Sequence, residues 1–210
     1  IGDPVQRYQE DPVRMLRALR IARECGLTLD DSVVAGMTRS AGLITVPARE
    51  RVKRELFLML GCGDAAGSLR VLHDTGVLEQ IIPEITTFRG IRQSAPHRHD
   101  LLGHQLETVR QLDALIAEDF KRFEPYAAQI HAAGSVAVEE CVNRRSLMVF
   151  AALLHDSGKS RTGRLMQGRI TFHGHEQAGA AINRTIARRI GLDRTAQRMV
   201  CGLTLEHMRL

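Results

Sequence analysis

The 210-residue sequence has no tryptophan and only 4% aromatic residues, so few side chains are available for single-stranded bases to stack on. It has no apolar run of bilayer-spanning length. It also lacks a charged segment followed by an apolar one, which is the pattern of a signal peptide. These absences argue against a membrane span and predict a cytoplasmic protein with no membrane partner.

Cysteine is scarce as well. The four cysteines lie far apart and form no C-x-x-C pair, so a zinc ribbon or thioredoxin motif is unsupported and reduced thiols are expected. The remaining composition is that of an ordinary globular protein, with 44% hydrophobic and 25% charged residues. The 29 Lys and Arg against 24 Asp and Glu give a net charge of +5, which is modest for an RNA-binding protein.

Strand signals are nearly absent, and Arg169–Phe172 is the one short candidate. Elsewhere apolar residues recur at helical spacing, as in Val52, Leu56, Met59 and Leu60. The sequence therefore predicts an all-α fold. Helices are expected to begin at Pro12 (capped by Asp11), Asp31, after Pro47, after Asp64, at Val77, near Asp100, at Leu147, at His175 and at Arg194, with a helical insertion over 118–143 and a basic loop over 159–171.

Residues 84–99 differ in character from their surroundings. Thr86, Gly90, Ser94 and Pro96 are residues that favour turns and loops, and they predict a linker. The length of the chain allows one large domain or two small ones. We therefore expect two helical domains, 1–93 and 94–210.

Three His-Asp pairs occur, and their contexts differ. His73-Asp74 stands at a predicted helix end beside a glycine, and His99-Asp100 stands in the predicted linker. His155-Asp156 instead follows a strongly apolar run. Burying an imidazole and a carboxylate there is unfavourable unless each is paired or bound to a metal. This pair is therefore the candidate site.

Further histidines make a metal centre plausible. His104 lies on the apolar face of a predicted helix, His175 opens another, and His207 stands near the end of the chain. Imidazoles with one carboxylate suit Fe, Mn, Co, Ni or Zn. Such an ion would activate a bound water and polarise a phosphoryl oxygen, and Lys159 could contact the phosphate. The alternative is a set of capping or hydrogen-bonded structural histidines.

The order of His104, Leu-Leu-His155-Asp156-Ser-Gly-Lys159 and Phe-His-Gly-His175-Glu resembles the HD superfamily of metal-dependent phosphohydrolases. Two departures from that family stand out. Ser157 occupies a position that is usually apolar there, and no clear late Asp ligand is present. Asp193 and His207 are candidates for that ligand, and the alternative is a ligand beyond Leu210.

Near the N-terminus, Glu10 and Asp11 precede a row of arginines that includes Arg14 and Arg17. A carboxylate accepts hydrogen bonds and a guanidinium donates them, so the two together can read the edge of a base. The arginines could also hold phosphates. From the residues alone, a capped helix with a solvated basic face remains the simpler alternative.

This stretch resembles the segment that follows the catalytic head in the class II tRNA nucleotidyltransferase and bacterial poly(A) polymerase family. The similarity continues through Ala48-Arg-Glu-Arg-Val-Lys-Arg-Glu-Leu and Leu72-His-Asp-Thr-Gly-Val-Leu-Glu. The resemblance implies a nucleotide-binding role for Glu10, Asp11, Arg14 and Arg17, with Asp11 and Arg14 selecting CTP or ATP. It also implies a neck and body that bind tRNA or another RNA 3′ end, followed by an HD domain.

The family's catalytic head uses an Asp-x-Asp pair with Mg²⁺, and this sequence contains no Asp-x-Asp. The chain also begins at Ile1 without Met. We therefore expect a fragment that lacks nucleotidyl-transfer activity of its own and carries an HD domain with possible hydrolase activity. The alternatives are a freestanding HD-domain nucleotide phosphohydrolase and a non-catalytic RNA-binding module.

Overall fold

The computed structural model describes residues 2–94 and 99–209. Over these residues the predicted all-α class is confirmed, and no described helix is both long and apolar enough to cross a membrane. The helices are α1 (Pro4–Glu10), α2 (Arg14–Glu24), α3 (Asp31–Ser40), α4 (Arg49–Gly61), α5 (Ala65–Asp74), α6 (Val77–Ile81), α7 (Leu101–Ala117), α8 (Ala127–Gly134), α9 (Arg144–Leu154), α10 (Lys159–Thr162), α11 (His175–Ile190) and α12 (Arg194–Glu206). Short 3-10 helices span Ala41–Thr45, Pro83–Phe88 and Lys121–Phe123.

Aspartates begin several of these helices by capping the free backbone N–H groups of the first turn. Asp30 accepts from the N–H of Ser32, and Asp100 accepts from the N–H of Gly103 at 2.8 Å. Asp64 caps α5 in the same way. The predicted starts of these three helices are therefore confirmed to within a residue.

The predicted first helix is wrong at its start. The segment before it is already helical (α1), and α2 begins at Arg14 instead of Pro12. Asp11 takes an extended conformation, and its carboxylate accepts from the N–H of Val13 at 3.3 Å. The side chain thus closes a turn between two helices and does not cap the longer one.

The predicted linker is shorter than expected. Pro83–Phe88 forms a 3-10 helix whose Ile85 and Phe88 side chains are fully buried. Apolar burial therefore outweighs the loop-forming tendency of the threonines between them. Pro96 lies outside the described residues. The division near residue 93 remains a prediction, and buried residues on both sides of it form one continuous core.

Two segments contain hairpins that the sequence analysis did not predict, although one strand of the second was a candidate. The predicted insertion over 118–143 includes α8 and a hairpin of β1 (Ala137–Glu139) with β2 (Val142–Asn143). The predicted basic loop contains α10 and a hairpin of β3 (Arg164–Met166) with β4 (Arg169–Thr171), and β4 confirms the strand candidate. Gln167 and Gly168 both have positive φ, as a two-residue hairpin turn requires.

The buried helix α9 organises the second half of the fold. Leu147, Phe150 and Leu154 are fully buried, and α9 packs against α4, α7 and α12. Phe150 meets Phe57 of α4 with ring centroids 5.2 Å apart. The helix α11 packs along α12 and α10. This packing brings the C-terminal end of α9 next to the start of α11 and the end of α12.

Candidate metal centre

Asp156 is the centre of a cluster of imidazoles. It follows α9 directly, and only 2% of it is exposed. The Nε2 atoms of His104 and His155 lie 3.2 and 3.1 Å from its Oδ2 atom. The Nε2 atoms of His175 and His207 lie 3.2 and 3.4 Å from its Oδ1 atom. The structure thus brings together all five residues proposed from the sequence as metal ligands.

Backbone carbonyls fix the orientation of three of these rings. Because a carbonyl only accepts, each Nδ1 atom carries the ring proton, and in the neutral ring Nε2 presents its lone pair to the cluster. Each ring donates to the carbonyl three residues earlier: His155 to Ala152 at 2.8 Å, His175 to Phe172 at 2.8 Å and His207 to Thr204 at 2.6 Å. This is the arrangement typical of metal-binding histidines.

The atoms of the cluster are suited to a cation. Oδ1 of Asp156 is buried, and no described residue gives it a well-aligned hydrogen bond. The Nε2 atoms of His175 and His207 are only 3.2 Å apart, so in the neutral rings their lone pairs face each other. A divalent cation would satisfy all three atoms at once. The five donors form two sets of three that share Asp156.

The cluster also determines the charge of the central carboxyl. Burial alone would raise the pKa of Asp156, but the four imidazoles, whose Nε2 atoms donate to the carboxylate when the rings are protonated, outweigh burial and hold the pKa well below its usual value. The same contact with Asp156 raises the pKa of His207, against the opposing effect of burial. The carboxylate is therefore ionised and available as a ligand.

A second set of polar side chains, which the sequence analysis missed, lies behind the cluster. Asn183 of α11 is fully buried and donates to the Leu154 carbonyl and to Thr204 Oγ1, both at 2.9 Å. Its Oδ1 atom accepts from Ser157 Oγ at 2.8 Å. Asn183 thus ties together the end of α9, the residue after Asp156 and the helix that leads to His207. An asparagine within the apolar stripe of α11 was the available signal.

This network explains the departure from the family pattern at Ser157. The hydroxyl is fully buried, yet its hydrogen bond to Asn183 satisfies it. Gly158 comes next, and a Cβ atom there would lie 1.9 Å from the His175 carbonyl oxygen. Only glycine allows the turn after Asp156 to approach α11 this closely.

Lys159, proposed as a phosphate contact, reaches the same place. Its ammonium donates to Asp156 Oδ2 at 2.7 Å and to Gln93 Oε1 at 2.8 Å. It lies 5.4 Å from the centroid of the Phe172 ring, and only 8% of the residue is exposed. The chain therefore holds one cation directly beside the cluster.

The remaining histidine and aspartate candidates lie elsewhere. His73 is hydrogen-bonded to Glu79 at 2.7 Å, and Asp100 caps α7. Asp193 caps the N-terminal end of α12, whereas His207 follows the opposite end of that helix. Of the two candidates for the late ligand, only His207 lies at the cluster.

The proposed nucleotide-binding residues occupy the junction of α1 and α2. Asp11 accepts from Arg51 at 2.8 Å, and Arg14 donates to Glu10 at 2.7 Å. Arg17 pairs with the buried Glu55 at 3.0 Å. Each of these side chains already has an oppositely charged partner within the fold.

Two family models match separate parts of the chain. Residues 26–89 match a family model described as a probable RNA and SrmB-binding site of polymerase A. Residues 101–210, more than half of the chain, match the HD domain model.

Curated relatives extend over nearly the whole sequence. An A-adding tRNA nucleotidyltransferase from Deinococcus radiodurans is 29% identical over 94% of this chain and 42% of its own length. A CC-adding tRNA nucleotidyltransferase from Thermus thermophilus is 31% identical over 97% and 43%. A bifunctional uridylyltransferase/uridylyl-removing enzyme from Phenylobacterium zucineum is 28% identical over 99% and 21%. The chain thus spans less than half the length of these relatives. The resemblance to nucleotidyltransferases is confirmed, and the chain belongs to the HD-domain family.

Proposed function

We propose that the cluster around Asp156 binds a divalent transition metal and hydrolyses phosphate esters or 2′,3′-cyclic phosphates. The observation that supports this most is the convergence of four imidazole nitrogens on one buried carboxylate with an unsatisfied oxygen. His104, His155, Asp156, His175 and His207 would hold the ion. Mn, Fe, Co, Ni and Zn all accept such donors.

The side chains around the proposed ion have separate tasks. When bound, the metal supplies an activated water and polarises a phosphoryl oxygen. The backbone carbonyls keep three imidazoles turned inward, so the ligands need little rearrangement on binding. Lys159 lies beside Asp156 and would offset part of the negative charge of a bound phosphate.

The test is metal-dependent release of phosphate, or ring opening of a 2′,3′-cyclic mononucleotide, by protein whose metal content has been measured. We expect activity that a chelator removes and that one of the five metals restores. Metal-loaded protein that hydrolyses neither a phosphate monoester nor a cyclic phosphate would contradict the hydrolase proposal. It would favour an HD pocket that serves only in binding.

We further propose that the chain acts within a longer protein that adds CMP or AMP to the 3′ end of tRNA or another RNA. The names of the A-adding and CC-adding relatives and the match to an RNA-binding model support this. Residues 1–93 would contact the RNA, residues 94–210 would form the HD domain, and a head outside this sequence would bind Mg²⁺ with CTP or ATP. A cytoplasmic location is part of the same proposal.

In that longer protein, Asp11 and Arg14 would select the incoming base, with Glu10 and Arg17 beside them. Arg14 keeps 39% of its side chain exposed, so a nucleotide could exchange for its contact with Glu10. Arg14→Ala in the head-containing protein should reduce discrimination between CTP and ATP, whereas Arg49→Ala, which removes an exposed arginine of α4, should not. Unchanged discrimination in Arg14→Ala would overturn this role.

A further inference from the structure

A second cleft lies directly beside the metal-centre cleft. The metal-centre cleft has a volume of about 590 Å³, and its neighbour has a volume of about 350 Å³. Lys159, Ile170 and Phe172 line both. A ligand bound at the cluster can therefore extend past Lys159 into the second cleft.

The second cleft is lined by three arginines, Arg92, Arg161 and Arg164. We call it the arginine cleft. All three are exposed, and among the ion pairs of residues 2–94 and 99–209 none involves them. The described lining contains no acidic residue. The Glu84 carboxylate interacts electrostatically with Arg161, but it accepts a hydrogen bond from Arg189 at 2.9 Å. The cleft thus holds positive charge without bound carboxylates.

The β3–β4 hairpin connects the two clefts. Arg164 of β3 pairs with Thr171 of β4, and Thr171 lines the metal-centre cleft while Arg164 lines the arginine cleft. Ser94 fixes the preceding segment to this hairpin, since its Oγ atom accepts from the N–H of Ile170 at 2.8 Å. Arg92 is therefore held by a segment that is anchored to the same hairpin.

Apolar side chains complete the arginine cleft. Ile91, Leu165 and Phe172 line it together with the arginines. A mixture of guanidinium groups and apolar or aromatic surface suits a nucleotide chain, in which phosphates alternate with sugars and bases. A polyphosphate would use only the guanidinium groups.

We propose that the arginine cleft binds the phosphates next to the one that is cleaved, so that the metal centre acts on the end of an RNA strand in preference to a mononucleotide. This proposal rests on the proposed hydrolase function, and it adds the substrate class. The cleaved phosphate would lie at the cluster beside Lys159, and the adjoining phosphodiesters would lie against Arg161 and Arg164.

The test compares two substrates in one double variant, Arg161→Gln/Arg164→Gln. The substrates are a five-nucleotide RNA that ends in a 2′,3′-cyclic phosphate and the corresponding cyclic mononucleotide. We expect kcat/KM for the RNA to fall about tenfold, because charged contacts to phosphate are lost, while kcat/KM for the mononucleotide changes less than twofold. The salt dependence of RNA binding should weaken by about 1.4 in log–log slope, the value for two single-strand phosphate contacts.

A matched control is Arg184→Gln/Arg198→Gln, which removes the same charge from a groove between α11 and α12 that shares no lining residue with either cleft. It should leave the ratio of RNA to mononucleotide turnover unchanged. Three results would each overturn the proposal. The first is an equal fall in kcat/KM for both substrates in the Arg161/Arg164 variant, and the second is an equal fall for the RNA in the control. The third is a larger fall in that variant for a nucleoside triphosphate than for the RNA.

Binding measurements separate this proposal from the hydrolase proposal. Fluorescence anisotropy with a five-nucleotide RNA that ends in a 3′-phosphate requires no turnover. If the wild type cleaves neither substrate, the hydrolase proposal fails, and the binding data still decide the role of the cleft. Unchanged RNA affinity in Arg161→Gln/Arg164→Gln would overturn that role.

Discussion

The arginine row of α2 and the cluster around Asp156 both contain several titratable side chains. They differ in whether those side chains already have partners within the fold. In the row, every arginine has an acidic partner: Arg14 pairs with Glu10, Arg17 and Arg20 with Glu55, and Arg23 with Asp64. In the cluster, Asp156 Oδ1 keeps an unsatisfied position among imidazole nitrogens.

Whether a charged group already has a partner determines how readily it binds a ligand. A guanidinium that already bonds to a buried carboxylate contributes to folding and is less available to a phosphate. An oxygen and several nitrogens that face one another without a bonded partner are stabilised by an added cation. Arg17 and Arg20, which share the buried Glu55, therefore stabilise α2, whereas Arg14, whose partner Glu10 is exposed, stays available to a ligand. The cluster has the character of a ligand site.

The largest expected effect comes from breaking the cluster. Asp156→Asn should lower hydrolytic turnover on the order of 10³-fold, because the catalytic stabilisation supplied by a metal is worth several kcal/mol. The control is Asp74→Asn, which changes the exposed aspartate of another His-Asp pair and should leave turnover unchanged. Steady-state kinetics on a cyclic mononucleotide measure both. Equal activity in Asp156→Asn and the wild type would contradict a role for the cluster in hydrolysis.

The next effect concerns the support behind the cluster. Asn183→Leu keeps the number and branching of the side-chain heavy atoms but removes its three hydrogen bonds, and it should weaken metal affinity about 10- to 100-fold. Competition with a metal-binding dye measures this affinity. Thr185→Val, on the exposed side of α11, is the control. A lower melting temperature with unchanged metal affinity would show that Asn183 stabilises the fold without positioning the ligands.

In the arginine row, the largest effect should come from Glu55→Ala. Loss of this buried carboxylate leaves Arg17 and Arg20 without their partner, and we expect the free energy of unfolding to fall by about 2 kcal/mol. This is less than for a fully buried pair, because 40% of the Arg17 side chain is exposed. Glu50→Ala is the control, because it removes an exposed carboxylate that pairs with Arg49 and should leave the free energy of unfolding nearly unchanged. Urea denaturation measures the free energy of unfolding of both variants. Equal stability of Glu55→Ala and Glu50→Ala would refute a structural role for the pairing of Glu55 with its arginines.

The smallest effect is a pH dependence of the same ion pairs. Burial opposes ionisation of Glu55, but hydrogen bonds from Arg20 and Arg17 outweigh it and lower its pKa below 4.5. A lowered folded-state pKa stabilises the protein fully above the unfolded-state value, and this stabilisation is lost as pH falls through the folded-state value. The stability difference between the wild type and Glu55→Gln should therefore shrink as pH falls from about 5 towards 3. A difference that is constant over this range would contradict ionised pairing.

The sequence predicted the helices and the cluster well because both depend on local signals. Periodic apolar residues and capping aspartates marked α11 and the start of α7, and the apolar run before His155 marked the buried pair. Pairing between distant segments was not visible in the same way. Glu55 lies 35 residues beyond Arg20, so the neutralisation of the arginine row could not be read from α2 alone.

The Asn183 network was also missed for a physical reason. An asparagine in an apolar stripe signals a buried hydrogen bond, but its partners lie on three separate segments. The β3 strand was interpreted as part of a loop because all three of its residues are exposed, so its pairing with the predicted strand β4 was missed. In both cases the tertiary arrangement supplies the information.

The central claim is that the side chains around Asp156 form a metal site. Elemental analysis of wild type and Asp156→Asn, each incubated with Mn, Fe, Co, Ni or Zn and then dialysed, tests it directly. We expect the wild type to retain at least one equivalent of one of these metals per chain, and Asp156→Asn to lose it while remaining folded by circular dichroism. A folded wild type that retains no metal, or retains no more than Asp156→Asn, would contradict the account.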